Sequence, residues 1–89
     1  MQVYFFAAAR AAAGTAQAAV ELEALPEATL QALIDHLGQH YTGTTPSGLT
    51  LAQVMEQCSF LINGQRSEAN ATLTDNSLRV DVLPPFAGG

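Results

Sequence analysis

The chain has 89 residues, 48% hydrophobic and only 12% charged, a balance that supports one folded core and excludes an intrinsically disordered segment. A domain of this size buries roughly 60–70% of the surface its unfolded chain exposes, so it needs neither disulfide nor structural metal. Eight carboxylates face three arginines and no lysine; the net charge of −5 excludes the basic patch on which nucleic-acid binding depends.

Val3 to Ala7 is aromatic and β-branched and predicts a strand over 3–7, buried on both faces or nearly so. The alanine-rich stretch from there to Gly14 reads as a turn. Ala18 to Leu25 alternates, with Val20, Leu22 and Ala24 on one face and Glu21 and Glu23 on the other. That predicts a half-exposed edge strand in a hairpin with the first. Pro26 and Thr29 announce a helix over about 29–39, where Leu30, Leu33, Ile34, Leu37 and Tyr41 form one apolar stripe. Gly38 weakens its last turns, and Tyr41 to Gly48 reads as a surface loop.

Thr50 and Gln53 have the spacing of a capping box, and Leu51, Val54, Met55 and Cys58 repeat the helical period, so a second, shorter helix follows. Phe60-Leu61-Ile62 predicts a strand, Asn63-Gly64 a hairpin turn, and Gln65 to Ser67 a short returning edge strand. Leu73 followed by Thr74-Asp75-Asn76-Ser77 is an anchored turn. The last strand, Leu78 to Leu83, places Leu78, Val80 and Val82 on one face and Arg79, Asp81 and Leu83 on the other. Pro84-Pro85 ends it, because neither proline donates a ladder hydrogen bond. The order is ββ-α-(short α)-ββ-β, an α+β class that matches the ubiquitin-like β-grasp. A mixed sheet packs on one long helix, and the first and last strands lie parallel in its middle. The expected organisation is a β-grasp domain over 1–83 and a flexible C-terminal Gly-Gly tail over 84–89.

A lone cysteine, Cys58, excludes an intramolecular disulfide and favours a reducing compartment. Its place on an apolar stripe reads as a buried small hydrophobe; a persulfide carrier is the alternative, and nothing basic in the adjacent sequence supports it. His36 and His40 share a helix face, but no Glu follows His36 and no third ligand is evident, so a solvated face is expected and no metal. Arg10 reads as a loop cation tied to a nearby oxygen or as a partner contact, and Gly14 as a turn residue with positive φ. The apolar opening superficially resembles a secretory segment, but no basic stretch precedes it and Arg10 interrupts it. No run approaches the roughly 20 apolar residues a membrane span requires. A cytoplasmic protein without a membrane partner is the expectation, which makes the glycosylation pattern Asn70-Ala71-Thr72 accidental.

The chemistry concentrates at the end, Leu83-Pro84-Pro85-Phe86-Ala87-Gly88-Gly89. A rigid diproline and an apolar residue precede two residues without side chains. The six residues after Leu83 reach roughly 20 Å when extended. Gly88 and Gly89 let that arm enter a channel too narrow for a β-carbon. The arm therefore delivers a carboxylate, and since the chain sets no acid, base or metal beside Gly89, its partners supply the catalysis.

Val3-Tyr4-Phe5-Phe6-Ala7, Arg10, Gly14-Thr15, Leu73-Thr74-Asp75 and Pro84-Pro85-Phe86-Ala87-Gly88-Gly89 together resemble the MoaD family, the small sulfur-carrying subunits of molybdopterin synthase. The resemblance implies that the Gly89 carboxylate is adenylated by an E1-like, MoeB-like enzyme that uses ATP; the carrier itself binds no cofactor. It implies conversion to a thiocarboxylate, then insertion of the tail into a large, MoaE-like subunit to donate sulfur to cyclic pyranopterin monophosphate. It also implies a partner interface beside the tail, where Phe6, Leu83, Pro84, Pro85 and Phe86 lie and which Arg66 borders. Relatives often carry an apolar residue at the position of Arg66. Two other readings share the activation step: a sulfur carrier for thiamine or cysteine biosynthesis, and a ubiquitin-like protein modifier. Thiamine carriers are typically shorter and lack the Phe-Phe-Ala opening. A plain interaction module with an inert tail is the fourth.

Overall fold

In the computed structural model, which describes residues 1–85, Val3 and Phe5 enter the core from β1 (Gln2–Phe5). Gln2 is exposed and Tyr4 half-buried on its other face, so the strand is buried on one side rather than on both. It runs parallel to β5 (Arg79–Leu83), with Val3 opposite Val80 and Phe5 opposite Val82. Antiparallel neighbours complete the sheet: β2 (Gln17–Ala19) on β1, β3 (Ser59–Ile62) on β5, and β4 (Gln65–Ser67) on β3. The resulting order is β2-β1-β5-β3-β4. This is the α+β, ubiquitin-like β-grasp, with the first and last strands parallel and central, as the order of elements implies.

Leu30, Leu33 and Leu37 of helix α2 (Leu30–His40) share one core with Val3, Phe5, Val80 and Val82. Tyr41 closes its end with the ring edge-on to Phe5, centroids 5.6 Å apart. Thr29 caps the helix by accepting from the Ala32 N–H at 3.2 Å. Thr29→Ala is expected to cost about 1 kcal/mol. In a thermal melt that is a fall of about 4–8 °C for a domain of this size. An unchanged melt would mean that the backbone bond from Leu30 N–H to Ala71 O fixes the helix start alone.

Helix α3 (Leu51–Met55) has its full capping box, with Thr50 Oγ1 accepting from Gln53 N–H and Gln53 Oε1 from Thr50 N–H. Gly38 acquires a purpose here: a β-carbon at that position would sit 3.1 Å from Ala52 Cβ, so the glycine lets α2 and α3 pack closely. Asn63 and Gly64 both take positive φ, 49° and 82°, the turn that matches the twist of a two-residue hairpin.

Two further expectations are corrected. The alanine run is a helix, α1 (Ala7–Ala13), closed by Gly14 at φ 76°. Alanine has the highest helix propensity, and burial of Ala9 and Ala12 on one side decides the outcome. The second strand ends at Ala19, and Leu22–Ala24 form a 3₁₀ turn instead of continuing it. Asn76 takes the Leu22 N–H with its side-chain oxygen at 2.7 Å, removing that donor from any ladder. Among the described residues, no helix is long and apolar enough to cross a membrane.

Candidate functional site

Strand alternation puts Tyr4, Leu61, Arg79, Asp81 and Leu83 on the sheet face that the helices leave open. Register makes them a connected surface: Tyr4 is opposite Asp81, Asp81 opposite Leu61, and Leu61 opposite Arg66. At its centre the Arg79 guanidinium lies 4.0 Å from the Tyr4 ring centroid and donates through Nε to Asp81 Oδ1 at 2.9 Å. The Asp81 side chain is only 12% exposed, whereas that of Arg79 is 52% exposed. The aromatic ring and the carboxylate together fix the guanidinium plane. A half-exposed pair of this kind contributes about 0.2–1 kcal/mol to stability. Its larger consequence is a cation held in one orientation at the middle of this face.

At the end of this face, the Phe6 N–H donates to Val82 O at 3.3 Å, which sets Phe6 beside the Val82–Leu83 peptide. Phe6 is exposed and Leu83 half-buried. The chain leaves β1 sharply, because Ala7 takes φ 48°, a left-handed conformation costing a non-glycine residue about 1–2 kcal/mol. Pro84 and Pro85 continue from Leu83, so Phe6, Leu83 and the diproline occupy one end of the sheet. Phe86, Gly88 and Gly89 lie outside the described residues. Arg66 stands away from that end: on edge strand β4, two strands from β5 and opposite Leu61, it also lines a cleft of about 440 Å³ with Ile34, Cys58 and Phe60.

The remaining candidates are quiet. The Cys58 thiol donates to Val54 O at 3.3 Å, and burial pushes its pKa up to about 11, so it stays protonated at neutral pH. That suits a small hydrophobe. His36 and His40 stack with ring centroids 4.1 Å apart; burial, and then the neighbouring His40 charge, lower the His36 pKa. Among the described residues, no three His, Cys, Asp or Glu side chains cluster as a metal site would require. Gly14 donates to Arg10 O at 2.9 Å as the cap of α1, and Arg10 is exposed in the last helical turn.

Sequence reasoning missed the Tyr4–Arg79–Asp81 cluster. Arg79 and Asp81 stand two apart in a strand, which puts them on one face. Tyr4 joins them only through the parallel register, which the order of elements implies but does not number.

Comparison with known proteins bears on this geometry. The ThiS family model matches residues 3–89. Among solved structures, SAMP1 of Haloferax volcanii superposes with a TM-score of 0.65 at 20% identity, covering 100% of this chain and 98% of that one. The HVO 2177 protein of Haloferax volcanii gives a TM-score of 0.66 at 25% identity, covering 99% and 84%. Both share the fold. No curated protein sequence matches the chain.

Proposed function

The chain belongs to the ThiS family, and we propose that within it this protein carries sulfur for molybdopterin synthesis, as a thiocarboxylate on Gly89. The supporting observation is the extent of the family match, which runs to Gly89 instead of stopping with the sheet. The open face beside the diproline supplies a place for the receiving enzyme to hold the domain while the tail enters it.

The chemistry follows from the end group. A terminal carboxylate, with a pKa of about 3.5, is ionised at neutral pH and resists nucleophiles. An activating enzyme overcomes this by joining a carboxylate oxygen to the α-phosphorus of ATP, with pyrophosphate leaving. Sulfide then attacks the acyl carbon, the acyl C–O bond breaks and AMP leaves with that oxygen, so no change of oxidation state is required. The resulting thiocarboxylate presents a nucleophilic sulfur at the tip of an arm, for transfer to cyclic pyranopterin monophosphate inside a MoaE-like subunit. The Phe5-Phe6-Ala7 opening favours this acceptor over a thiamine precursor.

The test is the intact mass of the protein isolated from its source, followed by molybdopterin formation with the large subunit. A mass increase equal to the exchange of one oxygen for sulfur, and turnover with that subunit, are expected. Covalent ladders on other proteins without molybdopterin formation would identify a modifier instead.

Leu83→Asp is expected to weaken assembly with the large subunit about ten- to hundredfold, because it places a charge at the apolar end of the face. The melting temperature should hold, since the side chain points away from the core. Calorimetric titration measures the affinity; an unchanged value removes this face from the interface.

A further inference from the structure

Asp81 is the only one of the eight carboxylate side chains that lies in a strand, whereas two of the three arginines, Arg66 and Arg79, do. Arg79 and Asp81 stand two apart in β5 and Arg66 is opposite Leu61, so all three share the open face. A chain of net −5 thus keeps its other carboxylates on helices, turns and loops, and turns outward a sheet face with two cations and one anion. That anion is already engaged: Asp81, largely buried, accepts from Arg79 Nε at 2.9 Å. Among the described residues this is the only hydrogen bond of the Arg79 guanidinium. Its Nη1 and Nη2 end, on a half-exposed side chain, keeps its donors for another acceptor.

We propose that this end of Arg79 takes, in bidentate fashion, a carboxylate side chain on the activating enzyme that receives the tail. Arg79 begins the strand that Leu83 ends, four residues and about 13 Å away on the same face. An enzyme seated at the diproline with an interface of ordinary size, about 800 Å² a side, therefore covers Arg79 as well. Covering it without an acceptor would leave desolvated charged donors unpaired, a cost that a facing carboxylate removes. Tyr4 and Asp81 order the guanidinium before docking, so little side-chain freedom is lost on binding. A polyphosphate or nucleic acid is a poor occupant, because two separate arginines on a chain of net −5 release few counterions. A second copy is also a poor one: a two-fold pair of these faces sets cation against cation, and the only carboxylate it offers is engaged. The inference rests on the carrier reading only so far as an activating enzyme takes Gly89, and holds whichever acceptor receives the sulfur.

The test uses the full-length chain and the purified activating enzyme of its source, with affinity read by calorimetric titration and adenylation by pyrophosphate exchange. Arg79→Gln is expected to weaken binding about ten- to hundredfold and to flatten its salt dependence. The exchange rate at saturation should hold, because the tail is untouched. Arg79→Lys, which keeps the charge without the planar fork, should fall between. Because Arg79→Gln leaves Asp81 without its partner, Arg79→Gln/Asp81→Asn is measured beside it, and the same loss of affinity is expected in both. Recovery of wild-type affinity in the double variant overturns the proposal, since the single change then acted only through the orphaned carboxylate. Unchanged affinity and salt dependence in Arg79→Gln overturn it too. Self-association of the wild-type chain that Arg79→Gln abolishes overturns it in favour of a second copy. Exchange by the wild-type chain reports separately on the carrier reading.

Discussion

Deletion of Gly89 is expected to abolish adenylation and sulfur transfer while leaving the melting temperature unchanged. The shortened chain would end in the Gly88 carboxylate, about 3.5 Å short of the reacting position. Misplacement by 1 Å already costs about 10²-fold in rate, so the loss should exceed that. Stability should hold because the core is completed by Val80 and Val82, well before the tail. Gly88→Val tests the channel rather than the reach. Its β-branched side chain should block threading, and docking through the sheet face should persist. Pyrophosphate exchange with the activating enzyme and product formation with the large subunit read the two steps. Full sulfur transfer from the Gly89 deletion would eliminate the carrier reading and leave an interaction module.

Leu33→Ala should produce the largest change in stability. Leu33 is fully buried in α2, in the same core as the central parallel strands. Truncation removes its transfer free energy and leaves a cavity that the sheet on one side and α2 on the other limit in its collapse, a loss of about 2–5 kcal/mol. At about 4–8 °C per kcal/mol, a fall in melting temperature of roughly 8–40 °C is expected. Denaturant titration with an unchanged slope would confirm that stability, and not the denatured state, has moved. A loss below about 1 kcal/mol would mean that the core repacks around the site, against the close packing of protein interiors.

Features specified by a few neighbouring residues were legible in the sequence. Thr50 and Gln53 need only each other to form their box, and Asn63-Gly64 needs only its two left-handed residues. The leucine stripe of α2 likewise shows its buried side by periodicity. Ala7 to Ala13 offers no such contrast, because a run dominated by one residue type has no periodic face. Ala9 and Ala12 become the inner side only through the packing around them. The end of β2 depends on Asn76, 54 residues beyond Leu22, and no local pattern announces that bond. Close approach is equally hidden: Gly43 lies where a β-carbon would come within 2.8 Å of Ala12 O, so loop and helix are matched in shape. At the candidate site, the glycines and diproline stand out by composition. The Arg79–Tyr4 contact requires a register between strands at opposite ends of the chain.

The placement of β5 also has a mechanical consequence. The strand that carries the tail is bonded along both edges, parallel to β1 and antiparallel to β3. On the proposed reading, in which an enzyme draws the arm into its channel, the pull would enter the domain along the axis of β5. Force in that direction shears both ladders, loading many hydrogen bonds together instead of opening them one at a time as peeling an edge strand would. The domain can therefore resist tension on its working end without surrendering the strand from which that end extends.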